Sequence, residues 1–228
     1  MSLYINKCFN AENNYSKLVI FIHGYNACIS DIEPYAELLI NKNSKLLVVT
    51  PEAPFVCEKN QNKRQWYSLW EHDPKDERRN PETPLSILSD IYDRYGNSIS
   101  NTAKNINQFI DEMQKQYNID DDNTYIIGFS QGAMIALYTS LSRKNKIAAC
   151  FAIAGVIAGK SLLKQELKSK PNVFLFHGRD DITVSYKTLD NTIAWLSDNN
   201  INVQDFRYDN LAHKITDDEI IKIAELIS

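Results

Sequence analysis

The sequence predicts an α/β fold with a mainly parallel central sheet covered by helices on both faces. Three observations predict it. Short, nearly uninterrupted apolar runs recur along the 228 residues, and segments with apolar residues at three- and four-residue spacing separate them. The runs are continuous rather than alternating, as expected of strands buried on both faces in a parallel sheet. Strand following helix in regular succession is the pattern of stacked βαβ units.

In chain order, Lys17–His23 (KLVIFIH) reads as the first strand and ends at Gly24. Asp31–Ile40 follows as a helix, with Ile32, Tyr35, Ala36 and Leu39 on one face. Leu46–Thr50 is a strand closed by Pro51. Ile99, Ala103, Ile106, Ile110, Met113 and Tyr117 form a long stripe that predicts a helix over 99–117. Thr124–Gly128 is a strand, and Gln131–Ser142, small and apolar, a buried helix. Ala148–Ala154 and Val173–His177 read as strands, Ser185–Asn199 as a helix and Val203–Tyr208 as the last strand. Thr216 with Glu219 three residues on fits a capping box opening a terminal helix. No repeat or linker interrupts the chain, so one domain over residues 1–228 is expected. The segment 71–84, EHDPKDERRNPETP, is charged and holds three prolines. It suits neither a strand nor a regular helix, and reads either as a solvated surface loop or as a lid or rim beside a pocket.

Composition narrows the function. Hydrophobic residues make up 43% and charged residues 24%, with seven glycines and seven prolines, which is ordinary globular usage. A net charge of −4 argues against a nucleic-acid partner and gives little drive toward anionic membrane. The apolar run from Ile147 to Ala158 is too short to span a bilayer, so no stable membrane insertion is expected. Cys8, Cys28, Cys57 and Cys150 are widely spaced and no apolar leader opens the chain, so a reducing, cytoplasmic compartment is expected. Cys150 reads as an inert core thiol. There is no HExxH, no clustered Cys/His set, no GxGxxG and no P-loop, so neither a metal nor an organic cofactor is expected.

The sharpest motif is Gly128-Phe129-Ser130-Gln131-Gly132, a G-x-S-x-G between a strand and a helix. A serine hydroxyl held clear of a sheet must sit on a tight turn, where flanking side chains would collide with the strand and helix. Serine is a weak nucleophile and needs a base, itself oriented by a third group. His177 and His213 are the histidines after Ser130. His177 closes a strand, whereas His213 lies in the loop DNLAHK after the last strand, better placed to reach across the sheet; it is the predicted base. The acid falls at Asp180 or Asp181, adjacent after the strand ending in His177-Gly178, and the residues alone do not separate them. Oxyanion donors are expected from the N–H of Gln131 and, on the loop after the first strand, of Tyr25. His23 and His177, each closing a strand before a glycine, read as structural.

These segments together resemble the carboxylesterase/lysophospholipase family of α/β-hydrolases that includes the acyl-protein thioesterases. The matching stretches are VIFIHGYNA with Asp31 downstream, VTPEAP, QWYS, YIIGFSQGAMIAL, FLFHGRDDITV and the AHKIT turn, spanning about 17–221. The resemblance implies the α/β-hydrolase fold, a Ser130–Asp181–His213 triad, with HGxxDxxV placing the acid at Asp181, and hydrolysis of carboxylic esters or thioesters. It also implies a hydrophobic acyl channel, with Pro54, Phe55, Trp66, Tyr67, Trp70 and Phe129 as wall residues. The expected partner is a small-molecule or acylated substrate, and a homodimer is permitted. Two departures stand out: Asn26 replaces a second glycine in the oxyanion loop, and Ser68 follows Trp66-Tyr67 where an aspartate is usual, which weakens a polar role there. Activity is expected to fall on the acid side of neutrality as the base histidine is protonated. Competing readings are a lysophospholipase working at lipid interfaces and a non-catalytic hydrolase-like binding module.

Overall fold

The computed structural model describes residues 4–10 and 14–227. Seven strands form one sheet in the order β1-β3-β2-β6-β7-β8-β9. They are β1 (Asn6–Phe9), β2 (Lys17–Ile22), β3 (Leu46–Pro51), β6 (Thr124–Phe129), β7 (Ala149–Ile153), β8 (Asn172–Gly178) and β9 (Val203–Tyr208). All neighbours run parallel except β1, which pairs antiparallel with β3. Between β3 and β6, a two-residue hairpin of β4 (Phe55–Val56) and β5 (Arg64–Gln65) stands outside the sheet. The predicted strands all form, within a residue or two at their ends. The edge strand β1 and the hairpin are additions: β1 is half exposed, and two-residue strands are too short to carry a pattern.

The helices are α1 (Ile29–Lys42), α2 (Leu85–Arg94), α3 (Gly96–Tyr117), α4 (Gln131–Ser142), α5 (Lys160–Glu166), α6 (Leu189–Asp198) and α7 (Asp217–Leu226). Successive strand residues point to opposite faces, so the sheet splits the core in two. Leu18, Ile20, Ile126 and Leu175 pack toward α3 and α4. Val19, Phe21, Ile127 and Phe176 pack toward α1 and α7. Helix α4 is buried along nearly its whole length, as its small apolar composition predicts. The expected helix over 185–199 opens as a 3₁₀ turn, Tyr186–Thr188, before α6. Helices α2 and α5 are absent from the sequence reading: α2 buries only Leu88, Ile91 and Tyr92, and α5 only Leu163. Cys150 is buried, and burial pushes its thiol up to about 12, in keeping with an inert core residue. Among the described residues no helix is long and apolar enough to cross a membrane.

This order puts the switch in winding direction between β2 and β6, where a crevice opens at the carboxyl ends of parallel strands. Close packing there depends on two glycines. A Cβ on Gly128 would lie 2.2 Å from the Gly132 carbonyl oxygen, and one on Gly132 would lie 2.3 Å from that of Ile22.

The capping box at the start of α7 forms as predicted: Thr216 Oγ1 accepts from the Glu219 N–H at 3.3 Å, and Glu219 Oε2 accepts from the Thr216 N–H at 2.8 Å. Glu219 is buried, and burial raises its carboxyl to about 7 against the opposing hydrogen bonds from Thr216. A carboxyl raised by folding binds its proton more tightly in the native state. Its contribution to stability is therefore full below about pH 4.5 and is lost as pH rises toward 7. At about 1.4 kcal/mol per pKa unit the loss is roughly 3 kcal/mol. Glu219→Gln keeps an acceptor for the cap and carries no charge. Thermal unfolding between pH 5 and pH 8 is expected to show a falling midpoint in the parent and a flatter profile in Glu219→Gln; equal slopes would contradict the assignment.

Candidate active site

Ser130 sits at the turn between β6 and α4 with φ 55° and ψ −117°. Positive φ is costly for a residue with a Cβ; here the turn is locked by the Ser130 N–H on Ile153 O at 2.9 Å and by the Ala133 N–H on Ser130 O at 3.0 Å. The hydroxyl points across the sheet to the loop after β9, where His213 Nε2 lies 2.9 Å from Ser130 Oγ. That loop is seated by Tyr35, whose hydroxyl donates to Ile215 O at 3.2 Å, and by the Asp180 N–H on Leu211 O at 3.1 Å. Gly178 permits this approach, since a Cβ there would fall 2.0 Å from Leu211 O. The Phe129 ring flanks the imidazole, centroid to centroid 4.9 Å.

His213 Nδ1 lies 2.7 Å from Asp181 Oδ2. The other carboxylate oxygen accepts from the Thr183 and Val184 N–H groups at 2.9 and 3.0 Å. His177, fully buried, donates from Nε2 to Val184 O at 2.9 Å and stands 3.4 Å from Asp181 Oδ2. Burial opposes ionisation of Asp181, but the hydrogen bonds from His177 and His213 outweigh it and hold the carboxyl at about 2. An ionised carboxylate only accepts. It therefore fixes the proton of the neutral imidazole on Nδ1 and leaves Nε2 to accept from the Ser130 hydroxyl. Asp181, and not the exposed neighbour Asp180, is brought to His213.

The oxyanion loop after β2 carries Tyr25 beside the N-terminus of α4. Among the described residues, neither the Tyr25 nor the Gln131 N–H is spent on another group of the protein. Asn26, with φ 58°, takes the left-handed conformation expected where a glycine is usual, and its N–H donates to Arg64 O on the β4–β5 hairpin at 3.0 Å. Gln131 is clamped by its side chain, which accepts from the Trp66 N–H at 3.0 Å and donates to Tyr67 O at 2.9 Å. His23 is buried and structural in its bonding: Nδ1 donates to Gly24 O at 2.8 Å, and Nε2 accepts from the Ala53 N–H at 3.1 Å.

Of the expected channel residues, Phe129 lines the cleft at Ser130, a pocket of about 170 Å³. The others are not brought there. Pro54, Phe55, Trp66 and Tyr67 line a separate cavity of about 740 Å³ against α3. Trp66 is fully buried and donates from its indole to His23 O at 2.9 Å. Tyr67 stands behind the cleft, its hydroxyl on Met134 Sδ at 3.6 Å. Trp70 is exposed. These aromatics pack the loops that hold the site and do not contact the serine.

Two features escaped the sequence reading. The first is Glu58. Its carboxylate accepts from Ser68 Oγ at 2.7 Å, Tyr25 Oη at 3.1 Å and the Leu69 and Trp70 N–H groups at 3.0 and 3.1 Å. Ser68 thus keeps a polar role, contrary to expectation, by tying Glu58 under the oxyanion loop. The second is the charged segment 71–84, which is not a solvated loop throughout. Asp73 and Arg78 are buried and paired at 2.8 Å, Asp73 also accepts the Glu77 N–H at 2.8 Å, and Arg78 and Arg79 line the Ser130 cleft. A lone Glu in CEKNQNK, or one Arg among many charges, has no local pattern that marks it as buried.

The family model described as phospholipase/carboxylesterase matches residues 5–228. The chain is 26% identical over 233 residues to acyl-protein thioesterase 1 of Neurospora crassa, covering 96% of this chain and 88% of that protein. It is 23% identical to a probable carboxylesterase, SOBER1-like, of Arabidopsis thaliana, over 92% of this chain and 78% of the other. The fold matches the crystal structure of esterase PE8 with a TM-score of 0.83 at 24% identity, covering 98% and 97% of the two chains. It matches Arabidopsis thaliana SOBER1 with a TM-score of 0.75 at 20% identity, covering 93% and 97%. The chain belongs to the phospholipase/carboxylesterase family and is an ester hydrolase of the α/β-hydrolase fold.

Proposed function

We propose that the protein cleaves carboxylic esters or thioesters in two steps through an acyl-enzyme, with Ser130 as nucleophile, His213 as base and Asp181 as the group that orients it. The observation that carries this reading is the continuous chain Ser130 Oγ–His213 Nε2–Asp181 at 2.9 and 2.7 Å, with the serine on a strained turn. Ser130 Oγ attacks the acyl carbonyl and its proton passes to His213 Nε2. The oxyanion that forms is held by the Tyr25 and Gln131 N–H groups. Collapse breaks the bond to the alcohol or thiol, which leaves with the proton from His213. Water then loses a proton to His213 and attacks the Ser130 ester, releasing the acid and restoring the hydroxyl. The likeness to an acyl-protein thioesterase supports including thioesters among the substrates. An alkyl fluorophosphonate tests the reading through intact-protein mass. The parent is expected to gain one phosphonyl group and Ser130→Ala none; an unlabelled parent, or a labelled Ser130→Ala, overturns it.

A further inference from the structure

The Ser130 cleft holds donors that the triad does not use. Arg78 is 4% exposed and Tyr92 is 3% exposed, and both line the cleft. Arg78 Nη1 is bound, 2.8 Å from Asp73 Oδ2 and 2.5 Å from Asp76 Oδ1. Arg78 Nη2 and the Tyr92 hydroxyl have no hydrogen-bond partner in the protein. A buried donor left unmade costs about 1–3 kcal/mol, more when charged, so two of them facing one cleft imply an acceptor that arrives with a ligand. Burial pushes the Tyr92 hydroxyl well up despite the nearby Arg78 charge, so it remains a donor.

Charge and size narrow that acceptor. Lys59, Arg78 and Arg79 line the cleft and pair with Asp73 and Asp76, three positive charges against two negative. The surplus favours an anion, and a guanidinium N–H beside a phenol O–H matches the oxygens of a carboxylate. The pocket of about 170 Å³ has room for about six water-sized groups, so the group bound there lies within a short reach of Ser130.

We propose that Arg78 Nη2 and Tyr92 Oη form a carboxylate-binding subsite, and that the preferred substrates are short esters or thioesters bearing a carboxylate a few bonds from the scissile carbonyl. This rests on Ser130 being the nucleophile of that cleft. Tyr92 also walls a neighbouring cavity of about 340 Å³ beside α6, so the test must separate an interaction with substrate from simple packing.

Ester cleavage would be followed by alcohol release for three probes: monoethyl glutarate, with the carboxylate on the acyl side; ethyl 4-acetoxybutyrate after selective saponification to the free acid, with it on the alcohol side; and ethyl pentanoate, which has a methyl where the glutarate half-ester has its carboxylate. In the full-length parent, kcat/KM for at least one anionic ester is expected to exceed that for ethyl pentanoate by about tenfold or more. Tyr92→Phe, which removes one oxygen, and Arg78→Lys, which keeps a charge for Asp73, are each expected to lower the anionic-to-neutral ratio by about tenfold. A purely structural role would lower all rates together and leave the ratio fixed, and that result overturns the subsite. So does a parent that prefers ethyl pentanoate, or a parent labelled by fluorophosphonate that cleaves none of the esters. An unlabelled, inactive parent instead overturns the reading of Ser130 on which the subsite depends.

Discussion

Ser130→Ala, His213→Ala and the double variant are expected to fall to a common floor, each losing about 10⁶-fold in kcat on a chromogenic ester. The reason is geometric. The Ser130 hydroxyl has one outlet for its proton in the structure, His213 Nε2 at 2.9 Å. Without the imidazole the hydroxyl attacks only at its own weak nucleophilicity; without the hydroxyl the imidazole has nothing to deprotonate in the acylation step. Residues acting as one unit lose the same activity singly as together, whereas independent contributors would multiply. The fold should tolerate both changes. Alanine at 130 keeps the same backbone, and the His213 side chain is partly exposed, so its truncation opens toward solvent. Steady-state rates with thermal midpoints in parallel would decide the matter. A double variant much slower than either single one, or a single variant keeping a tenth of the parent rate, contradicts the unit.

How far this arrangement can be read from sequence depends on how local its constraints are. The central strands are legible because a strand covered on both faces must be apolar throughout, as in LLVVT of β3 and TYIIG of β6. The serine turn is legible for the same reason: the collisions that force Gly128 and Gly132 occur within five residues of chain. Edge strand β1 lacks that signature, since Lys7 and Cys8 are exposed. Asp180 and Asp181 follow the same strand and differ only in which side chain the turn carries inward, a choice made by Thr183 and Val184. The aromatic residues of 54–70 are apolar whether they face substrate or core, and Trp66 takes the core. Glu58, Arg78 and Tyr92 owe their roles to contacts with segments distant in sequence, which no periodicity encodes.

Asp181→Asn is expected to cut kcat by about 10⁴-fold, while Asp180→Asn stays within about twofold. The difference follows from how the turn holds each residue. Asp181 Oδ1 accepts two backbone N–H groups, from Thr183 and Val184, and Oδ2 accepts from His213 Nδ1. An asparagine must keep its carbonyl oxygen toward the two backbone donors, because its amide group cannot accept from them. Its NH₂ then faces His213 Nδ1 and donates to it. The proton of the neutral ring moves to Nε2, which now donates toward Ser130 and can no longer take the serine proton. Substrate-binding groups are untouched, so the loss is expected in kcat with KM little changed. Asp180 is exposed and engages the His213 loop through its backbone N–H on Leu211 O, a contact that Asp180→Asn retains. Ring-nitrogen chemical shifts of His213 report the tautomer directly. The parent should carry its proton on Nδ1 and Asp181→Asn on Nε2; an unchanged tautomer in a slowed variant would mean that Asp181 acts through its charge alone.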